Sequence, residues 1–225
     1  NPLVLVHVVG GAHNDAIAIL IATLGVAAVL YGRELGAGGA FLAAFAIKAP
    51  SAVAAPFALL GGERSAVETG AEGNRFAAAR LSRRARFLLG AALALLAIGL
   101  AAYLAFGWHW LDAFGFAGRR QGKASHLSIP STFARLTGLD PAAVRAAALA
   151  LYATLFAYLL VWTWRGGDWL RAAAWASLGL LLATAWLLPW YLIWALPLVA
   201  LSRDRPLQLL LLALTAFQLA ARLPL

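Results

Sequence analysis

The polar positions of this chain stand in short groups between long apolar runs. Ala16 to Leu30 carries no charge, and Gly-Gly-Ala-His-Asn-Asp stands directly before it at residues 10–15. The pattern predicts a helix over residues 15–31, with Asn14 or Asp15 available as N-cap. A break is expected at Gly36 to Gly39. Ala40 to Gly61 follows, charged only at Lys48 and carrying Pro50 and Pro56 in its second half. After a polar loop, Gly62 to Arg86, comes Phe87 to Phe106, whose length at about 1.5 Å per residue matches a hydrocarbon core of about 30 Å. A second polar loop is predicted over Trp108 to Asp140. Asp140-Pro141 then reads as an N-cap and first helical residue of a helix reaching Trp164. Leu170 to Leu188, a short helix to Leu201 beyond the interruption Pro189-Trp190-Tyr191, and Leu207 to Leu219 complete the apolar set. No fixed-period repeat is visible.

Pro50 disfavours helix at Ala49 and removes a backbone donor, so a break costs less there than elsewhere in residues 40–61. Lys48 is expensive against lipid and cheap at a turn that lines a polar cavity. The expected architecture is therefore an all-α, polytopic transmembrane helix bundle with a broken or re-entrant helical hairpin near Lys48-Pro50. That arrangement places His13 to Asp15 and the 108–140 loop on one side of the bilayer.

Composition supports a membrane setting. Of 225 residues, 63% are hydrophobic and 12% charged, and the apolar residues fall in blocks rather than on one helical face. There is no Cys, which excludes disulfides and thiolate chemistry, and no Met. The opening Asn1-Pro2 lacks a basic leader, so residues 1–225 read as a single transmembrane domain, a fragment of a longer protein. The net charge of +9 lies mostly in loops, where it sets topology beside anionic lipid rather than binding nucleic acid. With the hairpin, eleven Lys and Arg fall on the inside and six outside, with Lys48 between them. This orients the chain as a multi-pass protein of the cell membrane.

Three cations within five residues, Arg119, Arg120 and Lys123, break that rule on the outer side. A solvated cluster and an anion site both fit them, the latter because guanidinium groups fork onto phosphate oxygens. His13, Asn14 and Asp15 have an ordinary explanation in capping and a buried histidine. They also suit a site in which a carboxylate takes a proton or binds hydroxyls and a histidine donates. Their His-x-Asp spacing also suits a metal, but two such ligands without a third make that signal weak. His126 sits in a Ser/Thr turn, His126 to Thr132, with no nucleophile motif beside it. Trp186, Trp190, Tyr191 and Trp194 fit an interfacial belt, as do Trp108 and Trp110 on the same side and Trp162, Trp164 and Trp169 on the other. Alternatively, Trp190 and Tyr191 stack on a sugar or flank a prenyl chain.

Asn1-Pro2-Leu3, Gly11 to Asp15, Ala46-Ile47-Lys48-Ala49-Pro50, Ser128-Ile129-Pro130-Ser131 and Pro189 to Pro197, in that order, resemble the C-terminal part of the actinobacterial polyprenyl-phosphate-mannose-dependent alpha-1,6-mannosyltransferases. These belong to the GT-C superfamily. The resemblance implies transfer of a hexose, mannose in that family, from a polyprenyl-phosphate donor to a glycan or glycolipid acceptor on the extracytoplasmic face, metal-independent or weakly metal-linked and with no cofactor. It also implies a main catalytic carboxylate in an external loop upstream of residue 1. Asp15 and His13 are then the catalytic candidates of this chain. Asn14, Lys48, Arg119, Arg120, Lys123, His126, Trp190 and Tyr191 are the substrate-binding candidates, with Lys48 and Arg119 or Arg120 on the phosphate. A transporter or lipid flippase with a midplane polar site and a non-catalytic membrane subunit are the competing readings.

Overall fold

The computed structural model describes residues 14–68, 81–112, 125 and 127–220. Among them every regular element is helical: α1 Asp15–Leu30, α2 Glu34–Ile47, α3 Ala55–Glu68, α4 Arg83–Phe106, α5 Ile129–Thr137, α6 Pro141–Trp164, α7 Trp169–Ala183, α8 Leu196–Ser202 and α9 Arg205–Ala220. Three 3-10 turns, Ala49–Ala52, Gly107–Leu111 and Pro189–Trp194, join them. Among the described residues two helices, α4 with its following turn and α6, are long and apolar enough to cross a membrane. Both carry rows of exposed apolar side chains, among them Leu93, Leu96, Leu100 and Leu104 on α4 and Leu151 on α6.

The expected break in residues 40–61 is present. In a continuous helix the Ala46 carbonyl would need the N–H that Pro50 lacks. Instead α2 stops at Ile47, Lys48 is extended, and the Lys48 carbonyl accepts from both the backbone N–H and the hydroxyl of Ser51. Pro56 then falls in the first turn of α3, where its missing donor costs nothing.

Three expectations fail for identifiable reasons. Gly36 to Gly39 makes no break, because α2 runs straight through it. These glycines serve packing: a Cβ on Gly38 would overlap the Phe87 carbonyl of α4, and one on Gly90 would overlap the Leu35 carbonyl of α2. Small residues let the two backbones touch. The 108–140 region is not loop throughout, since α5 lies inside it. The Ser128 hydroxyl caps its first turn by accepting from the Ser131 N–H, Pro130 sits at its start, and Gly138 ends it in the left-handed conformation (φ 71°).

The span expected at Leu170 to Leu188 begins at Trp169, capped by Asp168, and ends early at Ala183. A helix reaching Pro189 would leave the Ala185 carbonyl without a donor. That carbonyl accepts the backbone N–H of Ser125 instead. Asp140 caps α6 as expected, with its carboxylate 2.9 Å from the Ala143 nitrogen.

Charged contacts fix which ends lie together. Asp15, at the start of α1, meets Lys48 at the end of α2 and Trp194 in the Pro189–Trp194 turn. At the opposite end Glu34, opening α2, meets Arg83, opening α4, and Arg84 donates to the Leu60 carbonyl of α3. Arg171 of α7 meets Asp204, between α8 and α9, at that same end. The buried core between the ends draws on Val26, Phe41, Phe57, Trp169, Leu178, Leu192 and Leu207.

Candidate functional site

Asp15 occupies the first position of α1, and Asn14 before it makes no side-chain cap. The Asp15 carboxylate turns inward, with 1% of its side chain exposed. Lys48 Nζ lies 3.0 Å from each carboxylate oxygen, and the Trp194 indole N–H donates to Oδ1 at 2.7 Å. Capping does not explain this aspartate: its oxygens are engaged by partners 33 and 179 residues away.

The aromatic side follows from the Pro189–Trp194 turn. A 3-10 helix has three residues per turn, so side chains at i and i+3 eclipse. Tyr191 and Trp194 accordingly stack, with ring centroids 3.9 Å apart and planes 23° from parallel. The Lys48 ammonium lies 5.1 Å from the Tyr191 ring centroid and 5.6 Å from that of Trp194, within cation–π range. Lys48 keeps 26% of its side chain exposed. The result is a cation held from behind by a buried carboxylate and two rings, with its remaining face open.

Burial, and then the neighbouring Asp15 carboxylate, push the Tyr191 phenol up to about 12. Its turn lies outside the two helices long enough to cross a membrane. Tyr191 is therefore a neutral hydroxyl, able to donate a hydrogen bond at ordinary pH.

Of the residues singled out from sequence, Asp15, Lys48 and Tyr191 come together. Trp190 packs edge-on against Tyr191 at 6.1 Å, and Asn14 is exposed beside Asp15. His13, Arg119, Arg120, Lys123 and His126 lie outside the described residues. The flanks of His126 are tied down: the Ser125 N–H donates to the Ala185 carbonyl, and the Leu127 carbonyl accepts from the buried Gln218 amide of α9.

Trp194, which the sequence pattern places in an interfacial belt, belongs to this cluster. It is buried rather than part of a surface belt, as is Trp169. The available signal was its spacing of three from Tyr191 immediately after a proline. Glu34 was also missed; it is buried against Arg83 at the far end.

Among the described residues, an all-helical body with two membrane-length helices and a buried carboxylate–lysine pair where two other helices break defines a class of helical protein with a polar site at one end. Its kinship is more specific. Residues 1–61 match the family described as Alpha-(1->6)-mannopyranosyltransferase, N-terminal domain. The chain is also 30% identical, over 223 aligned positions and 89% of its length, to Alpha-(1->6)-mannopyranosyltransferase A of Mycobacterium tuberculosis. It thus has a mannosyltransferase relative, of whose length it spans 40%. No solved structure matches it.

Proposed function

We propose that this chain is the transmembrane donor-binding part of a multi-pass membrane glycosyltransferase. It moves a hexose, mannose by kinship, from a polyprenyl-phosphate carrier to an extracytoplasmic glycan or glycolipid acceptor. The observation that carries this reading is the Lys48 ammonium, presented by Asp15, Trp194 and Tyr191 where α2 and α7 break off. A broken apolar helix with a cation at its tip suits a phosphate that arrives on a lipid chain.

In the reaction the acceptor oxygen forms a bond to the anomeric carbon as the bond from that carbon to the carrier phosphate oxygen breaks. The bonding pair leaves with the phosphate, whose growing negative charge Lys48 stabilises. Arg119 or Arg120 and Lys123 are assigned to the same phosphate, and His126 and His13 to its oxygens or the sugar. The Tyr191 hydroxyl donates a hydrogen bond to the substrate, while Trp190 flanks the sugar or prenyl chain, with Asn14 at the rim. Asp15 serves chiefly to hold Lys48, because all of its neighbours already engage it. The acceptor proton goes to a second carboxylate, outside residues 1–225, of the kind that the family resemblance implies in an external loop.

Transfer by the full-length protein from polyprenyl-phosphate mannose, measured in membranes, tests the reading. Lys48→Ala and Asp15→Asn are expected to insert normally and lose most transfer. Wild-type rates in both remove the site. Movement of the intact lipid across the bilayer without transfer favours the flippase instead.

A further inference from the structure

At the end opposite Lys48, α6 and α7 enclose a trough of about 430 Å³ lined by Leu155, Tyr158, Leu159, Trp162, Arg171 and Trp175. Its long axis follows α6 from Trp162 to Leu155, two turns or about 10 Å. The wall is apolar and aromatic along this length and carries one cation, Arg171, at its mouth.

Arg171 is held in place rather than loosely solvated. Its Nε donates to the carboxylate of Asp204, which is buried and also accepts from the Leu207 N–H. Half of the Arg171 side chain remains exposed, and no other contact engages its guanidinium among the described residues. Asp204 and the α7 cap Asp168 bring two negative charges to this end, against four positive ones from Arg165, Arg171, Arg203 and Arg205. The mouth of the trough is therefore net positive. The floor is fixed too: Gly167 lies so close over the Trp162 ring that any Cβ there would overlap the indole.

We propose that this trough is a binding site for an anionic phospholipid. The headgroup phosphate takes the outward edge of the Arg171 guanidinium, and one acyl chain lies along Tyr158, Leu155 and Trp175. A fork of N–H donors beside a tryptophan-lined apolar slot matches a phosphate at the lipid–water boundary. The site is separate from the donor site, which lies at the other end of the molecule. It rests on the membrane placement in the proposed function and not on the transfer chemistry.

The test uses the full-length protein in nanodiscs of phosphatidylcholine containing a minor fraction of either photoactivatable phosphatidylglycerol or photoactivatable phosphatidylcholine, with peptide mapping of the adducts. Labelling is expected to concentrate on residues 155–175, with about fivefold more from phosphatidylglycerol, the preference that one cation near a lipid surface confers. Arg171→Gln should bring the two lipids level. Tyr158→Ala, at an exposed position, should lower labelling by both, and Lys48→Ala should leave the pattern unchanged. Equal labelling by both lipids overturns the proposal, as does a preference that survives Arg171→Gln or a trough that another segment of the protein shields. Should Arg171→Gln misfold, Arg171→Lys retains the charge and is expected to keep the preference; its loss would count against a charge-based site. Trough labelling without sugar transfer would sink only the transferase reading. A protein that does not enter the bilayer would sink both.

Discussion

The pairing of Asp15 with Lys48 can be isolated by a double-mutant cycle, Asp15→Asn, Lys48→Gln and the double variant, in the full-length protein. At 3.0 Å and an effective dielectric of about 20, Coulomb's law gives roughly 5 kcal/mol before desolvation. Burying the Asp15 carboxylate consumes much of that, and the partial exposure of Lys48 screens more. A coupling of about 2–3 kcal/mol is therefore expected, within the range for residues in direct contact. Asp15→Asn keeps the shape and can still accept from the Trp194 indole, so its effect reports charge rather than a cavity. Chemical denaturation in detergent measures stability, and transfer from polyprenyl-phosphate mannose measures function. In stability, the double variant should be far less destabilised than the sum of the singles. In transfer, each single and the double should be nearly equally slow, because the pair acts as a unit. Additivity within about 0.5 kcal/mol would refute the view that Asp15 exists to present Lys48.

Three further outcomes follow. Trp194→Phe keeps the stacked ring but removes the indole donor; loss of a hydrogen bond to a charged group should cost about 1.5–3 kcal/mol, and transfer should fall mainly through a raised KM for the lipid donor. Gly38→Ala or Gly90→Ala should part α2 from α4 and destabilise the protein by about 1–3 kcal/mol or more, seen as a lower melting temperature, whereas Gly36→Ala, with open space around it, should be neutral or stabilising. Tyr191 holds its proton up to about 12 in the folded state against 10.0 for the free side chain. The unfolded chain therefore loses this proton first and stability falls between those values as pH rises; Tyr191→Phe should flatten that part of the stability profile, and a phenolate absorbance midpoint near 10 for Tyr191 would contradict its burial.

Local rules made much of the architecture legible. Asp140-Pro141 announced α6, and the proline at residue 50 with a lysine two places before it announced the turn that brings Lys48 back beside Asp15. Local rules failed where a residue answers to something distant. Gly36 to Gly39 looks like punctuation along the chain, yet Gly38 is shaped by the Phe87 carbonyl. Trp194 looks like a boundary tryptophan, because its partner lies 179 residues away. The end of α7 at Ala183 depends on the Ser125 N–H, which takes a carbonyl that Pro189 cannot serve.

The site is therefore assembled from interruptions. Unbroken, α2 would carry Lys48 in a hydrocarbon-facing helix, where an ammonium is costly, and α7 would hold Tyr191 and Trp194 out of stacking register. The two breaks solve each other's problem. The turn after Pro189 delivers a ring pair and an indole donor, the turn at Lys48-Ser51 delivers the ammonium, and α1 supplies the carboxylate that both require. None of the three is satisfied alone: Asp15 without Lys48 is a buried bare charge, and Lys48 without Asp15 is an isolated cation against apolar walls. Basic residues such as Arg83, Arg84, Arg171 and Arg205 instead gather at the far end, where Glu34 and Asp204 anchor two of them. One end thus presents the Lys48 ammonium held by a carboxylate and two rings, an arrangement that suits the phosphate recognition proposed above. The other carries diffuse positive charge, which in the proposed membrane setting would favour the inner side.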